Sequence, residues 1–177
     1  RLRRFGEEVA QVNHVTRTGP KILRQPFVQQ DLIICHALRE RGITDAFPIQ
    51  AKTIPDILSG RDVCGKAKTG SGKTLAFGLP LVQLLPRADP GRPTGLALVP
   101  TRELATQVRD ELVAAAHARG VRIAAIYGGD PIEKQIRSLK EGVDLAVCTP
   151  GRAIDLIERG DLSVAVVMHV VIDEADR

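Results

Sequence analysis

Residues 67–74 read Ala-Lys-Thr-Gly-Ser-Gly-Lys-Thr. Upstream, Asp62-Val63-Cys64 suits a short buried strand, and downstream Leu75 to Val82 is apolar enough for a buried helix. Strand, glycine loop and helix in that order form the context in which such a stretch cradles phosphate. Gly70 and Gly72 let the backbone turn back and aim several N–H groups at one anion. The helix that starts there adds its positive end. In this pattern Lys73 reaches the β- and γ-phosphates and the Thr74 hydroxyl ligates Mg²⁺. Ala67 stands where the pattern usually opens with Gly, and its small side chain still fits.

Working outward, apolar runs alternate with helical patterns. Before the loop, Asp31 to Arg41 carries Leu32, Cys35 and Leu38 at helical spacing, with Asp31 as a cap and Gly42 as a stop. Pro48 precedes a helix from about Gln50 to Leu58. After the loop, the spacing predicts strands at 95–99, 121–127, 144–148 and 164–172, and helices at 102–118, 132–139 and 152–159. Apolar strands separated by helices argue an α/β fold, a mostly parallel sheet covered by helices on both faces. Ligands then bind beyond the carboxyl ends of the strands. The last strand ends in Asp173-Glu174, two acids that in a phosphoryl-transfer site hold Mg²⁺ and orient the attacking water.

The chain has 177 residues, 44% hydrophobic and 26% charged, which suits one soluble domain with a full core. No run of eighteen apolar residues exists, so no membrane span is expected. The three cysteines, Cys35, Cys64 and Cys148, show no paired spacing for zinc or a disulfide framework, and Cys64 and Cys148 read as small buried residues. That usage fits a reducing, cytoplasmic setting. Net charge is +4, and residues 1–24 carry all of it, with six basic against two acidic residues. Residues 1–26 lack periodicity and read as a basic extension, mobile or loosely docked. Attraction of nucleic acid and a solvated tail both remain open for it.

Asp173-Glu174-Ala175-Asp176 spells D-E-A-D, and with residues 67–74 it resembles a DEAD-box ATP-dependent RNA helicase. The further motifs fall in the same order: Pro48-Ile49-Gln50 for the Q motif, Pro100-Thr101-Arg102-Glu103-Leu104-Ala105 for motif Ia, Gly128-Gly129 for the glycine doublet and Thr149-Pro150-Gly151-Arg152 for motif Ib. The resemblance covers residues 27–177 and implies the first RecA-like domain. It implies ATP held by Ala67, Thr69, Gly70, Ser71, Gly72, Lys73 and Thr74, with Gln50 on the adenine edge and Phe27 stacked on the ring. Thr74 and Asp173 serve Mg²⁺, Glu174 serves the water, and Lys73 joins the two acids as a catalytic group. RNA would run over Pro100, Thr101, Arg102, Gly128, Gly129, Thr149, Pro150, Gly151 and Arg152. The arginines would pair with phosphates, and contacts of this kind read backbone and 2′-hydroxyls.

The chain departs from the family at several points. Phe27 stands closer to Gly42 than the family's aromatic does. Ala46 replaces a frequent proline, and Phe47 replaces a small hydroxyl residue. The family's Ser-Ala-Thr motif and second RecA-like domain would follow Arg177, so the resemblance implies a longer parent with that domain as partner. Two other readings compete: a P-loop ATPase that moves no nucleic acid, and a non-catalytic nucleotide- or RNA-binding module.

Overall fold

The computed structural model describes residues 13–17, 28–68 and 70–175. Helix α1 (Val28–Glu40) and α2 (Pro48–Leu58) precede strand β2 (Val63–Gly65). Then α3 (Lys73–Leu84), β3 (Gly95–Leu98), α4 (Arg102–Ala118), β4 (Ile123–Ile126), α5 (Ile132–Glu141), β5 (Leu145–Cys148), α6 (Pro150–Glu158) and β6 (His169–Ile172) alternate. The sheet order is β2-β1-β6-β3-β5-β4, where β1 is Asn13–Arg17. β6, β3, β5 and β4 are mutually parallel, as the apolar runs predict. Their registers are level: Leu98 lies opposite both Ile172 and Cys148, and Cys148 lies opposite Ile126.

Alternation along β5 shows why helices cover both faces. Leu145 and Val147 pack with Phe77 and Leu81 of α3 and Val108 and Leu112 of α4. Ala146 and Cys148 point the other way, onto Leu139 of α5 and Leu156 of α6. Successive strand side chains alternate faces, so an uninterrupted apolar run is what a doubly covered strand requires.

Several expectations are corrected. Residues 13–17 are not part of a loose extension: β1 pairs antiparallel with both β2 and β6. Strand edges present unpaired N–H and C=O groups, and a strand between β2 and β6 satisfies both ladders at once. The other residues of 1–26 lie outside the described residues. In α1 Ile34 is buried in the core and Leu38 packs against it, while Cys35 is exposed. Cys64 is also exposed, because β2 is the end strand of the sheet and pairs on one side only. Residues 164–168 form a turn, closed by Val167 N–H donating to Val164 O, and only His169–Ile172 is strand.

At the amino ends of the strands a buried ion pair ties four segments together. The Asp144 side chain is 2% exposed. Its Oδ1 accepts from Ala88 N (2.6 Å) and Arg122 Nη2 (2.7 Å), and its Oδ2 from Arg122 N (2.7 Å). Arg122 also donates to the Ala88 and Glu141 carbonyls, at 2.6 and 3.0 Å. Burial alone would raise the Asp144 carboxyl, but Arg122 and the two backbone N–H groups outweigh it and hold it below the usual range. A depressed folded pKa contributes stability that is complete above the unfolded aspartate value and lost as pH falls through the folded one. Asp144→Ala, which leaves the Ala88 and Arg122 backbone N–H groups without their acceptor and Arg122 without its counter-charge, is expected to cost about 3 kcal/mol in urea unfolding at neutral pH. The difference between the two proteins should shrink as pH drops below that of an ordinary aspartate.

Candidate functional site

Leaving β2, the chain crosses a glycine loop and turns directly into α3. Gly70 and Gly72 take φ of 79° and 80°, and Gly72 is the N-cap of α3. A Cβ on Gly72 would collide with the Gln50 amide and sit 2.9 Å from the Phe47 ring, so conformation and space both require glycine there. Lys73 and Thr74 form the first turn, where helix N–H groups have no intrahelical acceptor. Ser71 Oγ is buried without a hydrogen-bond partner in the same loop. Free donors at a helix start make an anion site.

Gln50 is 3% exposed. Its Oε1 accepts from Phe47 N at 2.9 Å, which caps α2, and its Nε2 donates to Gly72 O at 3.0 Å. The residue thus fastens α2 to the glycine loop, and both amide atoms retain one further bonding direction.

On the other side, β6 delivers the acids. Asp173 N–H donates to Leu98 O at 2.9 Å, so the ladder with β3 runs past the last strand residue and fixes the acid's position. Asp173 is 8% exposed. Burial pushes its carboxyl above the usual range, and the Lys73 charge and the Glu174 N–H offset part of that. Glu174 has φ of 52°, in the left-handed region that costs a non-glycine residue about 1 kcal/mol. Such strain persists only where the surroundings hold it.

Gln50, Gly70, Gly72, Lys73, Thr74, Asp173 and Glu174 line one cavity of about 260 Å³. Ala67 is half-buried in the loop but does not line it. Phe27 and Thr69 lie outside the described residues. Sequence reasoning missed six lining residues: Ile43, Phe47, Leu75, Leu104, Gln107 and Glu111. The last three share one face of α4 at helical spacing, a signal legible only once α4 is known to pass the phosphate loop.

A second cluster forms where β3, β4 and β5 end. Thr101 caps α4, its Oγ1 accepting from Leu104 N at 3.3 Å. Arg102 is exposed and pairs with Glu103 at 2.6 Å. A Cβ on Gly129, which has φ of 87°, would lie 3.6 Å from Arg102 Nη1. Thr149 N–H donates to Ile126 O at 3.0 Å, bringing the start of α6 beside the glycine doublet. Pro150, Gly128 and Gly151 are exposed, and the space where a Cβ would stand is open at both glycines. Arg152 differs from the expectation of a free phosphate ligand: its side chain is 12% exposed and bonds within the protein.

The family model described as DEAD/DEAH box helicase matches residues 47–177. The chain is 46% identical over 149 residues to "DEAD-box ATP-dependent RNA helicase 9" of Oryza sativa subsp. japonica, covering 81% of this chain and 23% of that protein. It is 47% identical over 146 residues to "ATP-dependent RNA helicase DeaD" of Escherichia coli K12, with 81% and 23% covered. The chain spans about a quarter of the length of the curated relatives it matches. Among solved structures, the yeast DEAD-box splicing factor Prp28 superposes with a TM-score of 0.69 at 33% identity, over 81% of this chain and 36% of that one.

Gln50→Leu removes both hydrogen bonds while keeping bulk, leaving Phe47 N without its partner and Gly72 O with only the Ala76 N–H. It is expected to cost about 1–3 kcal/mol in chemical denaturation, and Lys73→Met, whose ammonium closes no comparable bond, should cost far less.

Proposed function

The chain belongs to the DEAD/DEAH box helicase family, and from that premise we propose that residues 27–177, with strand β1 completing their sheet, are the ATP-binding RecA-like part of an ATP-dependent RNA helicase. The observation that carries the reading is the shared cavity, where the start of α3 with Lys73 faces the acids at the end of β6. One wall is a cluster of donors for phosphate oxygens. The opposite wall carries a carboxylate for a metal and another for water.

Each residue has a part in that reading. Loop N–H groups, Ser71 Oγ and Lys73 bind the phosphates. Among the described residues no three His, Cys, Asp or Glu side chains cluster as a metal site. Mg²⁺ needs only one or two protein oxygens beside phosphate and water, so Thr74 and Asp173 fit it as holders. The bound ion would neutralise charge on the β- and γ-phosphates. Glu174 orients the attacking water and accepts its proton. Gln50, already fixed by Phe47 and Gly72, offers its remaining N–H and lone pair to the adenine edge. RNA lies over the ends of β3, β4 and β5, with Arg102 on a phosphate and the exposed backbone at Gly128, Gly129 and Gly151 admitting close approach.

Among the described residues, Lys73 is the one cationic side chain lining the cavity. The reading assigns the further arginine that phosphoryl transfer uses to a second RecA-like domain of a longer chain. Among the described residues no helix is long and apolar enough to cross a membrane, and the free cysteines agree with a cytoplasmic setting.

Isothermal titration tests the site. ADP should bind more tightly than GDP, and Lys73→Ala should weaken ADP by at least about tenfold. Glu174→Gln should leave ADP affinity within about twofold, because it removes a group that acts on water and not on the diphosphate. In a chain that includes the second domain, Glu174→Gln should abolish RNA-stimulated phosphate release. Equal affinity for both nucleotides, or unaltered binding by Lys73→Ala, would remove the assignment.

A further inference from the structure

The turn 127–130 carries the glycine doublet, and side chains outside it grip its two ends. Gln135 of α5 is 4% exposed, and its Nε2 donates to Tyr127 O at 2.9 Å. It occupies a core position of its helix beside Leu139, where an apolar residue would pack at lower desolvation cost. Its Oε1 is buried with no partner, so the residue is retained there at the expense of an unmet acceptor. At the other end, Arg152 Nη1 and Nη2 both donate to Asp130 O, each at 3.3 Å. The Arg152 side chain is 12% exposed and its Nε stands 3.8 Å from Asp155 Oδ2, so its charge is directed inward.

Resting on the RNA-groove reading above, we propose that Gln135 and Arg152 are positioning residues that hold the glycine doublet in shape for RNA, and that Arg152 is not itself a phosphate ligand. Gly129 takes a left-handed φ of 87°, and the point where a Cβ would stand lies 3.6 Å from Arg102 Nη1. A glycine pair without support would sample many backbone states, and fixing it in advance lowers the ordering cost of binding. The clamp also joins α6 to the doublet, so motif Ib and the doublet present a single preset surface. Phosphate charge is then met by Arg102, which is exposed, and by backbone N–H groups.

Salt dependence separates the two roles, because each phosphate neutralised by a cation adds to the slope of log affinity against log salt. Binding of a labelled oligouridylate is followed by fluorescence anisotropy from about 50 to 200 mM salt. Arg102→Gln should reduce the slope by about 0.7, the increment for one single-strand phosphate. Gln135→Met and Arg152→Lys should each weaken binding about tenfold at every salt concentration and leave the slope unaltered. Lysine keeps the charge but not the two-nitrogen grip on one carbonyl. Hydrogen exchange guards against a folding artefact: exchange should accelerate at Gly128 and Gly129 in Gln135→Met while Leu81 and Leu112 keep wild-type protection. ADP affinity of Gln135→Met should match wild type. Wild-type affinity in Arg152→Lys, or a slope loss in Arg152→Gln equal to that of Arg102→Gln, would make Arg152 a phosphate ligand and overturn the proposal. Wild-type RNA affinity or unaccelerated exchange in Gln135→Met would equally overturn it. Absence of oligouridylate binding by the wild-type chain would instead refute the RNA reading, and the clamp's proposed role with it.

Discussion

Level register among four parallel strands is the constraint on which the rest depends. Because Leu98 stands opposite both Ile172 and Cys148, and Cys148 opposite Ile126, strands β6, β3, β5 and β4 end together. Their exits, at Asp173, Val99, Thr149 and Tyr127, therefore open on one edge of the sheet. Slipping one strand by a residue would reverse which side chains meet α3 and α4 and which meet α5 and α6. The core thus enforces the edge: Val147 and Cys148 cannot exchange faces without burying the wrong volumes on both sides. The Arg122–Asp144 pair locks the opposite ends of β4 and β5, far from the chemistry, and its stabilisation is felt as a fixed register.

That edge is divided by chemistry. At one end the start of α3 gathers donors and Lys73 against a buried carboxylate whose proton affinity is raised. Positive and negative walls face each other across a small cavity, which suits a charged ligand that carries both phosphate and a counter-ion. At the other end, α4 and α6 start beside a glycine turn, and the exposed groups are backbone and one arginine. Gln50 links α2 to the glycine loop, so a group bound at its amide would be mechanically connected to one bound at the loop.

Much of this was legible in the sequence, for identifiable reasons. Parallel strands buried on both faces must be apolar throughout, so Gly95–Leu98 and Leu145–Cys148 announced themselves. Residues 67–74 and 173–174 were legible because glycine spacing and strand-end acids have few other uses in that order. Ile34, in place of Cys35, turned to the core because face assignment in a short amphipathic helix depends on where the helix starts, and α1 starts at Val28. β1 was missed because a five-residue strand gains its stability from two neighbours that are remote in sequence. Exposure of Cys64 follows from β2 ending the sheet, a topological fact with no local signature. Arg152 read as a free cation because nothing in a linear motif reveals that its guanidinium turns back onto the Asp130 carbonyl. Glu111 and Gln107 line the cavity through helix packing alone.

The central claim is that one sheet edge carries two adjacent sites with separate ligands. Amide chemical-shift mapping of the 177-residue chain, first with Mg·ADP and then with an oligouridylate, addresses it most directly. The account predicts that ADP perturbs Gly70, Gly72, Lys73, Thr74, Asp173 and Glu174, and that the oligonucleotide then perturbs Arg102, Gly128, Gly129, Gly151 and their neighbours without displacing ADP. Competition between the two ligands for the amides of the α3 start, or an ADP response centred on Gly128 and Gly151, would contradict it.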